Sequence, residues 1–283
     1  MPSAAKSVVR FFSGDKTVDS PVLNRLGAQV ARTVLARMMH TMRAPRAHVA
    51  ASVRDYVTTL ERDGLVVIPN FLPDDVIDDL RVRAKKICEQ DRARTKVYHH
   101  GPNTFNVLNS EIRPEIPDEL PEFFKDPRVP ALIEAAERRP GRFATHGYMN
   151  IERLCQNGPV EMEDPETQLH SDIFFTSHKG WLYLTDVTPE CGPFVYVKGS
   201  HRLSPKLLSY VYRESCNGNK GSRRITQREL DDLHLEEMVL TCPKGTFVVG
   251  NTFGFHRRNR GTPGHERLAL HAGMRTNPFF ARS

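Results

Sequence analysis

Hydrophobic positions change their period partway along the chain. From residue 22 to about 138 they recur at helical spacing. From 143 onward they fall in short alternating or continuous runs broken by Gly, Pro and Asn. Within 22–42, Leu23, Leu26, Val30, Val34 and Met38 share one side of a helical wheel, with Arg25, Arg32 and Arg43 opposite. Pro21 and Pro45 frame that helix. A second helix is expected over about 47–63, closed by Asp63-Gly64 and followed by a short strand, Leu65-Val66-Val67-Ile68. Pro73-Asp74-Asp75 opens a third, with Val76, Ile77, Leu80, Ala84 and Ile87 at helical spacing; another falls near 128–138. Residues 95–122 are of mixed polar and Pro-rich character, and His99-His100 reads as a solvated loop. Eight strands are then predicted: 143–151, 168–175, 180–187, 193–198, 237–241, 246–250, 253–257 and 267–275. Such density argues for a β-sandwich or barrel over a parallel α/β sheet. The expected organisation is a leader over 1–46 and one domain over 47–283, with helical support at 47–142 and a barrel at 143–278.

Charge sharpens the leader. The chain of 283 residues has net charge +6, and residues 1–46 hold eight basic groups against two acids, the whole of that excess. The pI of 9.1 therefore belongs to the leader, and a nucleic-acid-binding body is disfavoured. The leader's apolar stripe needs a cover. Docking on the body is the preferred reading; a second copy of the chain (a homo-oligomer) or peripheral contact with a membrane surface through 22–42 are the alternatives. No apolar run approaches bilayer-spanning length. Five cysteines without a CxxC fit neither a disulfide framework nor a cysteine zinc site. They favour a reducing compartment, so a cytoplasmic location is expected, with organelle targeting by the basic leader as the alternative.

Candidate chemistry centres on Leu169-His170-Ser171-Asp172. Alternate strand residues face one side, so His170 and Asp172 point together. Gly254-Phe255-His256-Arg257 offers a third donor, and two His with one carboxylate compose the facial set of non-haem Fe(II) oxygenases. An HxD pair alone is weak. Arg267, eleven residues after His256, adds a guanidinium fork that suits a carboxylate such as 2-oxoglutarate, the alternative being a structural salt bridge. Three functions stay open on the residues alone: an Fe(II)/2-oxoglutarate oxygenase, a non-redox metal hydrolase or isomerase on a cupin-like barrel, and a catalytically silent binding barrel.

Taken together, the motifs resemble the phytanoyl-CoA dioxygenase-like family of Fe(II)/2-oxoglutarate oxygenases over about 50–278. They are the entry Asp63-Gly64-Leu65-Val66-Val67-Ile68-Pro69-Asn70-Phe71-Leu72, His170-Ser171-Asp172, Asp186-Val187-Thr188-Pro189-Glu190-Cys191-Gly192-Pro193-Phe194, Lys198-Gly199-Ser200-His201-Arg202, and His256 with Arg267. The resemblance implies a mainly β fold with helices, a double-stranded β-helix or jelly-roll barrel. It implies His170, Asp172 and His256 as Fe(II) ligands and Arg267 against the distal carboxylate of 2-oxoglutarate. Trp181 would line the co-substrate pocket, Met149 lie beside it and Asn106 add a polar contact. O2 is the further co-substrate, and hydroxylation of an unactivated C–H bond with release of succinate and CO2 is the implied outcome. Asp172 stands where halogenating relatives carry a small residue, which argues against halogenation. Many relatives carry a hydroxyl residue two after the arginine or the distal His. Ala269 and Arg258 stand there, so one hydrogen bond to the distal carboxylate must come from elsewhere. The span Tyr212–Arg228 falls where the family places a mobile lid. Arg223, Arg224, Arg257, Arg258 and Arg260 near the expected pocket mouth predict a small or medium anionic substrate: a carboxylate, phosphate or CoA ester.

Overall fold

The computed structural model describes residues 11–43, 49–90, 96–100, 103–109, 116–156, 164–218, 221–274 and 276–280. The chain begins with α1 (Pro21–Arg25), α2 (Ala28–Met42), α3 (Arg54–Asp63), β1 (Leu65–Ile68) and α4 (Asp74–Gln90). β2 (Lys96–His100), β3 (Asn103–Asn109), α5 (Arg128–Glu137), β4 (Gly147–Gln156), β5 (His170–Ser171) and β6 (His178–Tyr183) follow. Then come β7 (Phe194–Val197), α6 (Pro205–Cys216), β8 (Arg223–Arg224), α7 (Gln227–Leu233), β9 (Glu237–Val239), β10 (Phe247–Asn251), β11 (His256–Arg258) and β12 (Glu266–Met274).

Two antiparallel sheets result: β1-β10-β6-β12-β4-β3-β2 and β8-β5-β11-β7-β9. The strand period of two sorts their side chains into layers. On the large sheet Ile151, Leu182, Phe247, Val249, Leu268 and Leu270 face outward and bury Leu60 of α3, Ile77 and Leu80 of α4, and Leu132 and Ile133 of α5. Tyr183, Val248 and Ala269 face inward against Phe194 and Tyr196 of the small sheet. The small sheet's outer face is covered by Leu207, Tyr210 and Val211 of α6 and Leu230 of α7. This is the double-stranded β-helix with external helices. Local signals set the helices: Ser204 caps α6 ahead of Pro205, and Thr226 with Glu229 forms a capping box on α7. Gly64 ends α3 at φ 79°, where a Cβ would strike the Tyr196 hydroxyl and the His201 ring.

Several elements differ from the sequence expectation. β2 and β3 occupy the polar stretch 95–122, so His99 and His100 lie on a strand, and with β1 the first half supplies three strands to the large sheet. Edge strands carry few apolar residues, and hydrophobic periodicity does not register them. The span expected as a lid continues α6 to Cys216, and β8 pairs with β5, placing Arg224 opposite His170.

The leader turns part of its expected apolar face away from the body, although Val30 still packs on the core and Arg25 stays exposed. The helix breaks at Gly27, at φ 85°, and its buried residues are Asn24, Gln29, Arg32, Thr33, Ala36 and His40, whereas Val22, Leu26, Met38 and Met42 are exposed. The reason lies in the surface it meets, which presents backbone carbonyls that need donors. Asn24 Nδ2 donates to Val18 O at 2.8 Å and Ser215 O at 3.1 Å. Arg37 donates to His201 O, and His40 Nε2 lies 3.1 Å from Ala136 O. Arg32 donates to Ser13 O at 2.7 Å, with its guanidinium 3.7 Å from the Phe174 ring centroid. Phe279 stacks on Phe174 at 6.0 Å and meets Phe12 edge-on at 5.3 Å, tying Phe12 of the leader and Phe279 to the loop after Asp172.

Arg32→Ala empties a buried cation–π site and leaves Ser13 O without its donor. A loss of about 2–3 kcal/mol is expected, read as a lower midpoint of urea unfolding; an unchanged midpoint would show that the polar docking face is not stabilising.

Candidate active site

His256 and His170 are direct cross-strand partners on β11 and β5. Each imidazole Nδ1 is held by the carbonyl two residues earlier: Gln168 O at 2.8 Å for His170 and Gly254 O at 2.9 Å for His256. A carbonyl can only accept, so each Nδ1 carries the proton and each Nε2 presents a lone pair. Both Nε2 atoms stand 3.6 Å from the same Asp172 oxygen, Oδ1. The three donor atoms lie within 4.8 Å of one another, and this is the one such cluster among the described residues. Two imidazole lone pairs and a carboxylate converging on one point repel one another unless a cation sits between them. The donor set fits a divalent iron bound on one face, with the remaining positions open.

Asp172 is divided between two tasks. While Oδ1 faces the histidines, Oδ2 accepts from Lys179 Nζ at 2.6 Å. Burial pushes the Asp172 carboxyl up, but the contacts that favour its charge, led by Lys179, more than offset it and hold the group well below the usual carboxylate range. Burial likewise works against the Lys179 charge, and Asp172 with Tyr148 outweighs it, so the lysine stays protonated. Between the ligands, Ser171 Oγ donates to Ile173 O and Phe253 O, both at 2.9 Å, and buried Arg223 donates to Ile173 O at 2.9 Å. Glu166, on the turn Pro165–Thr167, places a further carboxylate oxygen 3.5 Å from His170 Nε2. The buried pair Arg258–Asp164, at 2.9 Å, ties that turn to the strand of His256.

Arg267 is buried on the inner face of β12. It donates to Gly192 O, its guanidinium stands 5.8 Å from the Tyr183 ring centroid, and it has no carboxylate partner among the described residues. Tyr183 lies directly across from Ala269 in register. Trp181 is also inside the barrel, stacked on His271 at 5.2 Å and against Phe194 at 5.2 Å, with its Nε1 donating to Glu152 at 3.1 Å. Met149 points the other way, into the helix-side core, because its neighbours Tyr148 and Asn150 take the inner positions of β4. Asn106, on β3, pairs in register with Arg153 of β4, and its side chain lies outside the described residues.

A cavity of about 600 Å³ opens beside Asp172. Its wall includes Tyr148 and Lys179 of the large sheet, Ile173 and Phe175 after the metal strand, Thr276 near the C-terminus, and Gly14 and Lys16 of the leader. Among the basic residues expected at the mouth, Arg257 is engaged by Glu237 at 2.6 Å, Arg258 by Asp164, Arg223 by Ile173 O, and Arg224 by Pro165 O. Lys16, Lys179, Tyr183, Glu152 and His271 were not singled out from the sequence. Strand alternation carried a signal for two of them: with Trp181 inside, 179 and 183 must also be inside.

The fold matches that of solved structures. The alpha-ketoglutarate-dependent epimerase SnoN from nogalamycin biosynthesis aligns with a TM-score of 0.55 at 16% identity, over 79% of this chain and 83% of that one. EctD from S. alaskensis with bound Fe aligns with a TM-score of 0.52 at 15% identity, over 80% and 76%. No curated protein sequence matches the chain significantly. The family model for phytanoyl-CoA dioxygenase (PhyH) matches residues 60–256, more than half of the chain and inclusive of His170, Asp172 and His256. The chain belongs to the phytanoyl-CoA dioxygenase family of Fe(II)/2-oxoglutarate-dependent oxygenases.

Proposed function

We propose that the protein hydroxylates an unactivated C–H bond of a small anionic organic molecule, with His170, Asp172 and His256 holding Fe(II) and Arg267 anchoring 2-oxoglutarate. The observation that carries this reading is the convergence of two Nε2 lone pairs and Asp172 Oδ1 on one point. With O2, iron and 2-oxoglutarate supply the oxidising chemistry, yielding succinate and CO2; the protein's part is positioning and exclusion of water. Lys179 occupies the second oxygen of Asp172, which favours a one-oxygen ligand and keeps coordination positions open.

Arg267 is a buried guanidinium whose protein partner is a neutral carbonyl, which suits the distal carboxylate of a dicarboxylate co-substrate. Tyr183 answers the missing hydroxyl at Ala269. It stands in register with that alanine, and burial pushes its hydroxyl pKa up with only partial opposition from Arg267, so it stays a proton donor. Trp181, His271 and Phe194 form an aromatic wall reaching His256, with Phe194 and His256 rings 5.7 Å apart. Substrate preference for an anion rests on Lys16 and Lys179, the two basic side chains of the cavity wall, whose one acid, Asp172, is committed to the metal.

Each of His170→Ala, Asp172→Ala and His256→Ala is expected to abolish both iron retention after desalting and succinate release. A variant keeping both would remove that residue from the ligand set. Arg267→Ala should raise the KM for 2-oxoglutarate at least about thirtyfold, for a lost charge-assisted pair of about 2–5 kcal/mol. Tyr183→Phe should raise it about fivefold, for one lost hydrogen bond of about 1 kcal/mol. Equal KM values in wild type and both variants would place the co-substrate elsewhere.

Substrate class is tested by succinate release over a panel pairing carboxylates and phosphates with neutral isosteres. The charged members should turn over faster, and Lys16→Met should raise the KM of the best one about fivefold without moving the KM for 2-oxoglutarate. A neutral best substrate, indifferent to Lys16→Met, would defeat the anionic reading. Arg223 is unsuitable for this test, because it braces the loop between the metal ligands.

A further inference from the structure

The leader leaves apolar side chains exposed near arginines. At the C-terminal end of α2, Met38 is 52% and Met42 80% exposed, and Phe280 beside them is 49% exposed. Met39, Met42, Pro140, Phe279 and Phe280 line one shallow groove together with Arg43, Arg138, Arg139 and Arg142. At the other end of the segment Val22 and Leu26 are exposed next to exposed Arg25. Between Asp19 and Asp55 the sequence has no acidic residue.

The acids that approach this groove are already engaged. Glu61 pairs with Arg138 at 3.0 Å, and Glu134 accepts from the backbone of Gly141 and Phe143 at 2.8 and 2.7 Å. Glu137, which acts on both Arg43 and Arg139, is buried and accepts from His178 N and Nδ1. Arg43 and Arg139 donate to the neutral carbonyls of Pro278, Asn277 and Phe280, so the acceptors they touch do not cancel their charge. Burial works against both charges, and each also feels a neighbouring arginine, Arg139 in the case of Arg43 and Arg142 in the case of Arg139. The surface therefore combines exposed methionine and phenylalanine side chains with the half-buried cations Arg43 and Arg142, while Arg139 is buried and Arg138 is paired with Glu61.

We propose that this face, built from Met38, Met42, Phe280 and the half-buried arginines at 43 and 142, rests on an anionic phospholipid surface. Apolar side chains would enter the headgroup boundary while the guanidinium groups meet lipid phosphates and carboxylates, the arrangement of an interfacial helix. No helix among the described residues is long and apolar enough to cross a membrane, so the contact is peripheral. Charge decides between lipid and a second copy of the chain. A two-fold contact through this patch would set the same arginines against themselves, and like charges across an interface are unfavourable.

The test is co-sedimentation of the full chain with vesicles of phosphatidylcholine alone and of phosphatidylcholine with about one-third phosphatidylserine. The wild type is expected to bind the anionic vesicles, to ignore the neutral ones, and to be released on raising salt from about 0.1 to about 1 M. Met42→Glu and Arg142→Glu should each lower partitioning at least about fivefold. Val82→Glu, which alters an exposed apolar residue on α4 far along the sequence, should leave it unchanged. Thermal melting of each variant checks that folding is intact. Failure of the wild type to bind anionic vesicles, or an equal loss in the Val82 variant, overturns the proposal. So does a wild-type dimer in sedimentation equilibrium that Met42→Glu dissolves, which would assign the face to a second copy.

Discussion

The cross-strand pairing of His256 with His170 is the constraint on which the site depends. Because side chains alternate along a strand, a one-residue slip of β11 against β5 would send one imidazole out of the barrel. Neighbouring features pin that register. The Ser171 hydroxyl reaches across to Phe253 O, and Asp172 N donates to Thr252 O at 3.0 Å, continuing the contact past the strand's end. Gly254 has no room for a side chain, since a Cβ there would overlap the Tyr196 hydroxyl. Arg223 then grips the same loop from the other edge. The geometry of three donors is thus enforced mainly by backbone pairing and backbone carbonyls, which leaves the imidazole rings little freedom before any ion arrives.

Much of this was legible in the sequence wherever a strong period or a spaced motif existed. The apolar face of α4, the run of strands from β4 onward and the HxD…His set each left a clear pattern, because burial on one face imposes one. β2 and β3 left none that stood out, for β2 lies at the sheet's edge and Asn103, Asn106 and Asn109 give β3 the composition of a loop. Met149 was assigned to the pocket by likeness; the alternation of β4 sends it to the helix side and brings Tyr148 into the cavity wall instead. Lys179 was hidden for a different reason. Its significance comes from a contact with Asp172 across a loop, a tertiary relation that a periodicity or a local motif does not encode.

The leader illustrates how tertiary context can reverse an amphipathic reading. A helical wheel ranks faces by hydrophobicity alone, and it placed Arg32 toward solvent. The surface beneath the helix instead offers the carbonyl oxygens of Ser13, Ser215, Ala136 and His201, and long donor-bearing side chains satisfy them better than aliphatic ones. Through Arg32 and Phe174 the leader bears on the loop that follows Asp172, and through Gly14 and Lys16 it forms part of the cavity wall. A detachable address tag does not describe the packing of residues 11–43, which are part of the same folded body as His170, Asp172 and His256.

The chain's single tryptophan, Trp181, stands inside the barrel, stacked on His271 and touching Phe194, whose ring neighbours His256. Its indole therefore sits two ring contacts from a metal donor and on the same strand as Lys179 and Tyr183. Filling of the barrel by an ion, a dicarboxylate or an organic guest changes the polarity around that indole and the quenching by its histidine neighbour. With no second indole to contribute background, the protein's intrinsic fluorescence is an internal gauge of occupancy that requires neither turnover nor an added label.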